Sequence, residues 1–128
     1  MKLGHDPQSA LTLTPLERAV LREAARCLGA DGAQLAMQTA SARVAARSHS
    51  GVGFVTRLQV PAGTAPLAAA VAARIRPVLA VHPLLDEPVE FVLQLRDGRL
   101  ATIEAFCPTG QWPADEASLR FGAAGRHT

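Results

Sequence analysis

Between residues 14 and 28, apolar side chains return at helical spacing. Leu16, Val20, Ala24, Cys27 and Leu28 stand at i, i+4, i+8, i+11 and i+12, with Arg18, Arg22, Glu23 and Arg26 largely off that stripe. Thr14 is a good N-cap, Pro15 suits the first helical position, and Glu17 can complete a capping box by reaching back to the cap N–H. Gly29 stands where a left-handed C-cap belongs. The pattern predicts a helix over 14–28 on one face of a sheet, with Cys27 in the core, where free cysteines most often lie.

Elsewhere the period shortens to two. Over 53–60, Phe54, Thr56, Leu58 and Val60 alternate with Val55, Arg57 and Gln59, which reads as a half-buried strand ended by Pro61-Ala62-Gly63. The preceding stretch is ambiguous. Residues 34–47 are Ala-rich and helical by propensity, yet Thr39, Ser41, Val44 and Ser48 interrupt any stripe before the turn Ser50-Gly51-Val52-Gly53. The reading favoured is a hairpin of 36–48 with 53–60. Residues 66–77, bounded by prolines, read as a short helix, and 78–85 as a strand or extended segment. Asp86, Glu87 and Pro88 then break the chain.

A second hairpin is centred on Asp97-Gly98. Val89, Phe91, Leu93 and Leu95 oppose Glu90, Val92 and Gln94; after the turn, Ala101, Ile103 and Ala105 oppose Leu100, Thr102, Glu104 and Phe106. A two-residue loop would set Arg96 against Arg99 and Phe91 against Glu104. A three-residue loop, Arg96-Asp97-Gly98 with Gly98 in a bulge, pairs Leu93 with Ala101 and Phe91 with Ile103. A one-residue slip exchanges the two faces, so the apolar pairing favours the three-residue loop. Residues 107–113 follow as a loop carrying Trp112, the single tryptophan. Trp112 is either a closure of the sheet core or a hot-spot anchor for a partner.

Together these elements predict one α+β domain over 1–128. It has an antiparallel sheet of about four strands in meander-like order, with the 14–28 helix packed on one face. Residues 1–13 form a leader arm and 122–128 a flexible tail.

Composition narrows the function. Hydrophobic residues make up 48% and charged residues 19% of the 128, as in globular proteins. The net charge of +2 and the 4% of aromatic residues argue against nucleic acid, which needs clustered phosphate contacts and stacking platforms. There is no apolar leader and no run of roughly 20 apolar residues, so neither secretion nor a membrane span is expected. Two cysteines without metal spacing read as reduced thiols of a cytoplasmic protein. His5, His49, His82 and His127 show no zinc-helix spacing, and no phosphate loop or nucleophile elbow occurs. No cofactor is expected. Glu90 and Glu104 lie on neighbouring strands and could approach each other. An enzyme or small-ligand protein would have to use Cys107, His82 and Glu104, converging at one edge of the sheet.

"GVGFVTRLQVP" and "FVLQLRDGRLATIEAF…WP" resemble a group of small bacterial proteins. Their pattern runs TGVGFFT-F-VP, then GFVLFV-DG-LS-LEGY…WP. The likeness covers Gly51–Pro61 and Phe91–Pro113. This chain departs from it with Ala105-Phe106-Cys107 where Gly and Tyr are usual, and with Val55 in place of the second Phe. Members resemble cytoplasmic immunity or partner proteins of polymorphic-toxin systems. The resemblance implies an α+β sheet domain without enzymatic chemistry, binding another protein such as a toxin domain. Trp112 with Asp115 and Glu116, and Glu104 nearby in sequence, form the expected partner site, since acids around a rigid aromatic suit a basic partner.

Overall fold

In the computed structural model, which describes residues 12–122, helix α1 spans Pro15–Cys27. The Thr14 hydroxyl accepts from the Glu17 N–H at 3.0 Å, and the Glu17 carboxylate accepts from the Thr14 N–H at 2.8 Å, so both halves of the capping box form. Gly29 follows at φ +62°. The buried stripe is Val20, Leu21, Ala24 and the C-cap Leu28, headed by Glu17. Cys27 is exposed, which corrects its expected place in the core. The helix is turned toward Leu21 because Glu17 is drawn inward. Its carboxylate receives Arg47 Nε at 2.9 Å and Nη2 at 2.8 Å, and the Thr56 hydroxyl as well.

Helix α2 occupies Gly32–Ser41, where a strand from residue 36 was expected. The side chain that fixes it is Gln38, which is fully buried. Its Nε2 donates to Ala65 O at 3.0 Å and Gly98 O at 2.9 Å, while its Oε1 accepts from Leu100 N at 3.0 Å. One amide therefore satisfies three backbone groups that no ladder reaches. The first strand begins only at Arg43.

The strands are β1 (Arg43–Ser50), β2 (Gly53–Gln59), β3 (Val78–Val81), β4 (Val89–Arg96), β5 (Arg99–Phe106) and β6 (Arg120–Phe121), with a one-turn helix α3 (Ala69–Ala72) before β3. They form one sheet in the order β1-β2-β5-β4-β3-β6, every neighbouring pair antiparallel. Six strands thus replace the four expected, and the order is not a meander, because β5 of the second hairpin lies against β2 of the first. The 66–77 helix shrinks to Ala69–Ala72, since buried Leu67 donates its N–H to Gly98 O at 2.8 Å and Ala68 stays extended, so the chain turns helical only at Ala69.

The Asp97-Gly98 turn is the two-residue form, contrary to the three-residue loop favoured by the apolar pairing. Asp97 at φ +53° and Gly98 at φ +78° give the mirror-image turn whose twist suits a hairpin, with Arg96 opposite Arg99. The like charges separate because Arg99 turns away, its Nε donating to Thr64 O at 3.0 Å and its Nη2 to Ala62 O at 2.9 Å. Apolar pairing is then recovered inside the ladder. Leu95 opposes Leu100 but Gln94 opposes Thr102, so Ala101 is an extra residue. Beyond this bulge Leu93 faces Ile103 and Phe91 faces Ala105, and Glu104 lands opposite Val92 on the other face.

The core lies between one sheet face and the helices. Val44, Phe54, Leu58, Val89, Phe91, Leu93, Ile103 and Ala105 supply the sheet side. Leu13, expected in a leader arm, is buried there too. Residues 1–11 of that arm, and 123–128 of the expected tail, lie outside the described residues. The opposite face carries Val55, Arg57, Glu90, Val92, Glu104 and Phe106 and is covered by no described helix.

Candidate functional site

The strand directions bring three connections to one end of the sheet: the β1–β2 turn at 51–52, the β3–β4 connection 82–88, and the long β5–β6 connection 107–119. The last is tied down by its backbone. Cys107 N donates to Val52 O at 2.8 Å, and Trp112 N donates to Gly51 O at 2.9 Å. Gly53 permits this closeness, since a Cβ there would overlap the Ala105 carbonyl.

The charges of the sheet are segregated. Asp86, Glu87, Glu90, Glu104, Asp115 and Glu116 all lie on or beside these connections, and Arg120 is the one arginine at that end among the described residues. Arg43, Arg57, Arg96 and Arg99 lie toward the other end of the sheet, with Asp97, while Arg47 stands mid-sheet against Glu17 and Arg74 pairs with Asp31. Exposed apolar side chains gather at the acidic end. Leu84 is 85% exposed and Phe106 48%, with Val52 and Val55 beside them. Phe106 is the outward member of its alternation, placed opposite Glu90 on β4 and Gly53 on β2.

Trp112 and Glu116 are brought together, the indole N–H donating to Glu116 Oε2 at 2.8 Å. The ring is half-buried and meets Phe54 and Phe91 edge-on, with centroids 5.5 and 5.8 Å apart. Phe54 and Phe91 belong to the core face, so Trp112 closes the end of the core on the helix side. Asp115 accepts from the Ser118 hydroxyl through its carboxylate and from His82 Nε2 through its carbonyl, the latter at 2.9 Å. Glu104 is not part of this group. It projects from the open face, as Glu90 does, two residues away in register across β4 and β5.

Cys107, His82 and Glu104 do not converge. His82 is buried, and the Leu84 N–H donates to its Nδ1 at 3.1 Å, which places the proton on Nε2, facing Asp115 O. Nε2 therefore ties the 82–88 connection to 107–119, while Nδ1 braces the turn of 82–88 itself. Cys107 is buried on the core side, where its Sγ lies 3.2 Å from Thr109 Oγ1. Burial pushes that thiol up, but the Thr109 hydroxyl and the N–H groups of Thr109, Gln111 and Gly110 outweigh it and bring it below its ordinary value. Among the described residues no acid or histidine is bonded to it. Among the described residues no group of three or more His, Cys, Asp or Glu could hold a metal ion, and no helix is long and apolar enough to cross a membrane.

No protein-family model, curated protein or solved structure matches the chain.

Proposed function

We propose that this chain is a non-enzymatic cytoplasmic protein-binding module, an immunity-type protein that docks a basic toxin domain on the acidic end of its sheet. The observation that carries the reading is the coincidence of the acidic cluster with the exposed Phe106, Leu84, Val52 and Val55. Carboxylates on a rim steer a basic partner, and exposed apolar side chains among them supply area that is buried on contact. The surface is the open face and its rim: Phe106 flanked by Glu90 and Glu104, with Leu84, Asp86 and Glu87 on the connection above. Trp112, bonded to Glu116 and packed on Phe54 and Phe91, holds the loop 107–119 in place beside that surface. The sequence resemblance to immunity proteins points the same way.

Affinity capture from the native cytosol tests this, with wild type beside Glu90→Lys/Glu104→Lys and, as a control at the basic end, Arg43→Glu/Arg96→Glu. The reading expects a stoichiometric basic partner on wild type and on the control, lost from the acidic-end variant and weakened by salt. No stoichiometric partner, or equal capture by all three proteins, refutes it.

A further inference from the structure

A cavity of about 710 Å³ opens on the helix side of the sheet, between the last turns of α1 and residues 74–79. Its floor is apolar: Ala24, Leu28 and Val78 are buried, and Ile75 and Phe121 are half-buried against the core. Its rim is cationic, with Arg26, Arg74 and Arg76 against the single carboxylate of Glu23. Two of the three guanidinium groups have internal work. Arg26 is held by Glu23 at 2.6 Å; Arg74 is held by Asp31 at 2.6 Å and donates to Leu28 O at 3.2 Å. Arg76 makes no hydrogen bond or ion pair with any described residue.

A volume of this size is that of small-molecule sites, which combine an apolar lining with a few polar groups that orient the ligand. Here Arg76 is the one guanidinium of the lining with no partner among the described residues. We propose that this cavity binds a small amphipathic monoanion, an apolar body ending in a carboxylate that Arg76 receives. The body lies against Ile75, Val78 and Phe121. The fork of the guanidinium takes both carboxylate oxygens, and an uncharged analogue of the same shape gains only the apolar contact.

Cys27 supplies the readout. It lines the cavity and is exposed, whereas Cys107 is fully buried, so iodoacetamide labels Cys27 selectively in the folded protein. Octanoate is the probe and octanol its uncharged control, both titrated by calorimetry and by the rate of Cys27 alkylation. The proposal expects octanoate to bind at one per chain, to slow alkylation severalfold at saturation, and to bind more tightly than octanol. Arg76→Gln, an exposed site whose change leaves the melting temperature in place, should weaken octanoate by at least about tenfold, as loss of one charge-assisted hydrogen bond requires, and leave octanol unaltered. A second variant, Ile75→Glu, sets a carboxylate on the cavity wall and should abolish octanoate protection of Cys27. The proposal is overturned if octanoate neither binds nor protects Cys27, if octanol binds as well, or if Arg76→Gln leaves the octanoate affinity unchanged.

Discussion

Replacing Glu17 by Leu should be among the most damaging single changes to this fold. The carboxylate is 1% exposed and accepts from Thr14 N–H, the Thr56 hydroxyl and two nitrogens of Arg47, whose side chain is itself only 18% exposed. Leucine fills much of the space but leaves that guanidinium without its counter-charge, bonded only to Thr12 O, a loss of about 3–5 kcal/mol. For a chain of this length 1 kcal/mol moves the melting temperature by roughly 3–6 °C, so a fall of roughly 10–25 °C is expected by calorimetry or circular dichroism. Glu17→Leu/Arg47→Met should be more stable than Glu17→Leu alone by about 2 kcal/mol, because no buried charge is then left unpaired.

The pH dependence supplies a second check. Burial raises the Glu17 carboxyl, but the bonds from Arg47, Thr56 and Thr14 outweigh it and hold it below the ordinary value of 4.5. Its contribution is therefore complete above about pH 4.5 and is lost as pH falls through the lower folded value. Glu17→Leu should lack that part of the acid destabilisation. A loss below about 1 kcal/mol in the single variant, or no recovery in the double one, would refute the argument.

Three further changes probe other contacts. Gln38→Leu removes the side-chain partner of Ala65 O and Leu100 N, while Gly98 O keeps the Leu67 N–H, and should cost about 2–4 kcal/mol in denaturant unfolding, because two backbone groups are left without that partner at once. Gly98→Ala should cost more than about 1 kcal/mol, since the residue sits at φ +78° and its new Cβ would meet Leu67 O at 2.7 Å. Trp112→Ala should cost about 2–4 kcal/mol through the lost edge-on contacts with Phe54 and Phe91, whereas Trp112→Phe should recover most of that but not the Glu116 hydrogen bond. An unchanged melting temperature in Trp112→Ala would show that the ring lies free of the core.

Local signals were legible where one residue type does one thing. Thr14, Pro15 and Glu17 mark the start of α1, and the alternation over 53–60 marks β2 with the correct inward side. What misled was polar residues serving as core. The buried members of α2 are Gly32, Leu35 and Gln38, only one of them a large apolar residue, so no stripe shows and the segment resembles a strand. The inward turn of Glu17 likewise needs Arg47, thirty positions away, and shifts the stripe off Cys27. In the second hairpin the apolar argument was sound, but the residue that restores the pairing is Ala101 inside the strand rather than a longer loop. Of the expected site, the Trp112–Glu116 contact is local enough to be legible, four residues apart. The separation of Glu104 from it, and the company of Leu84 and Phe106, depend on a strand order that no local pattern encodes.

The sorting of charge along the strands also has a long-range effect. With Arg43, Arg57, Arg96 and Arg99 toward one end of the sheet and Glu90, Glu104 and the acids of the connections at the other, the sheet carries a charge asymmetry along its strands, although the net charge of the chain is only +2. In the field of a basic surface such a body feels a torque before it feels much net attraction. It rotates to lead with Phe106 and Leu84, so fewer encounters are spent in wrong orientations. The torque acts over about one Debye length, roughly 8 Å at physiological salt and about 30 Å at 0.01 M.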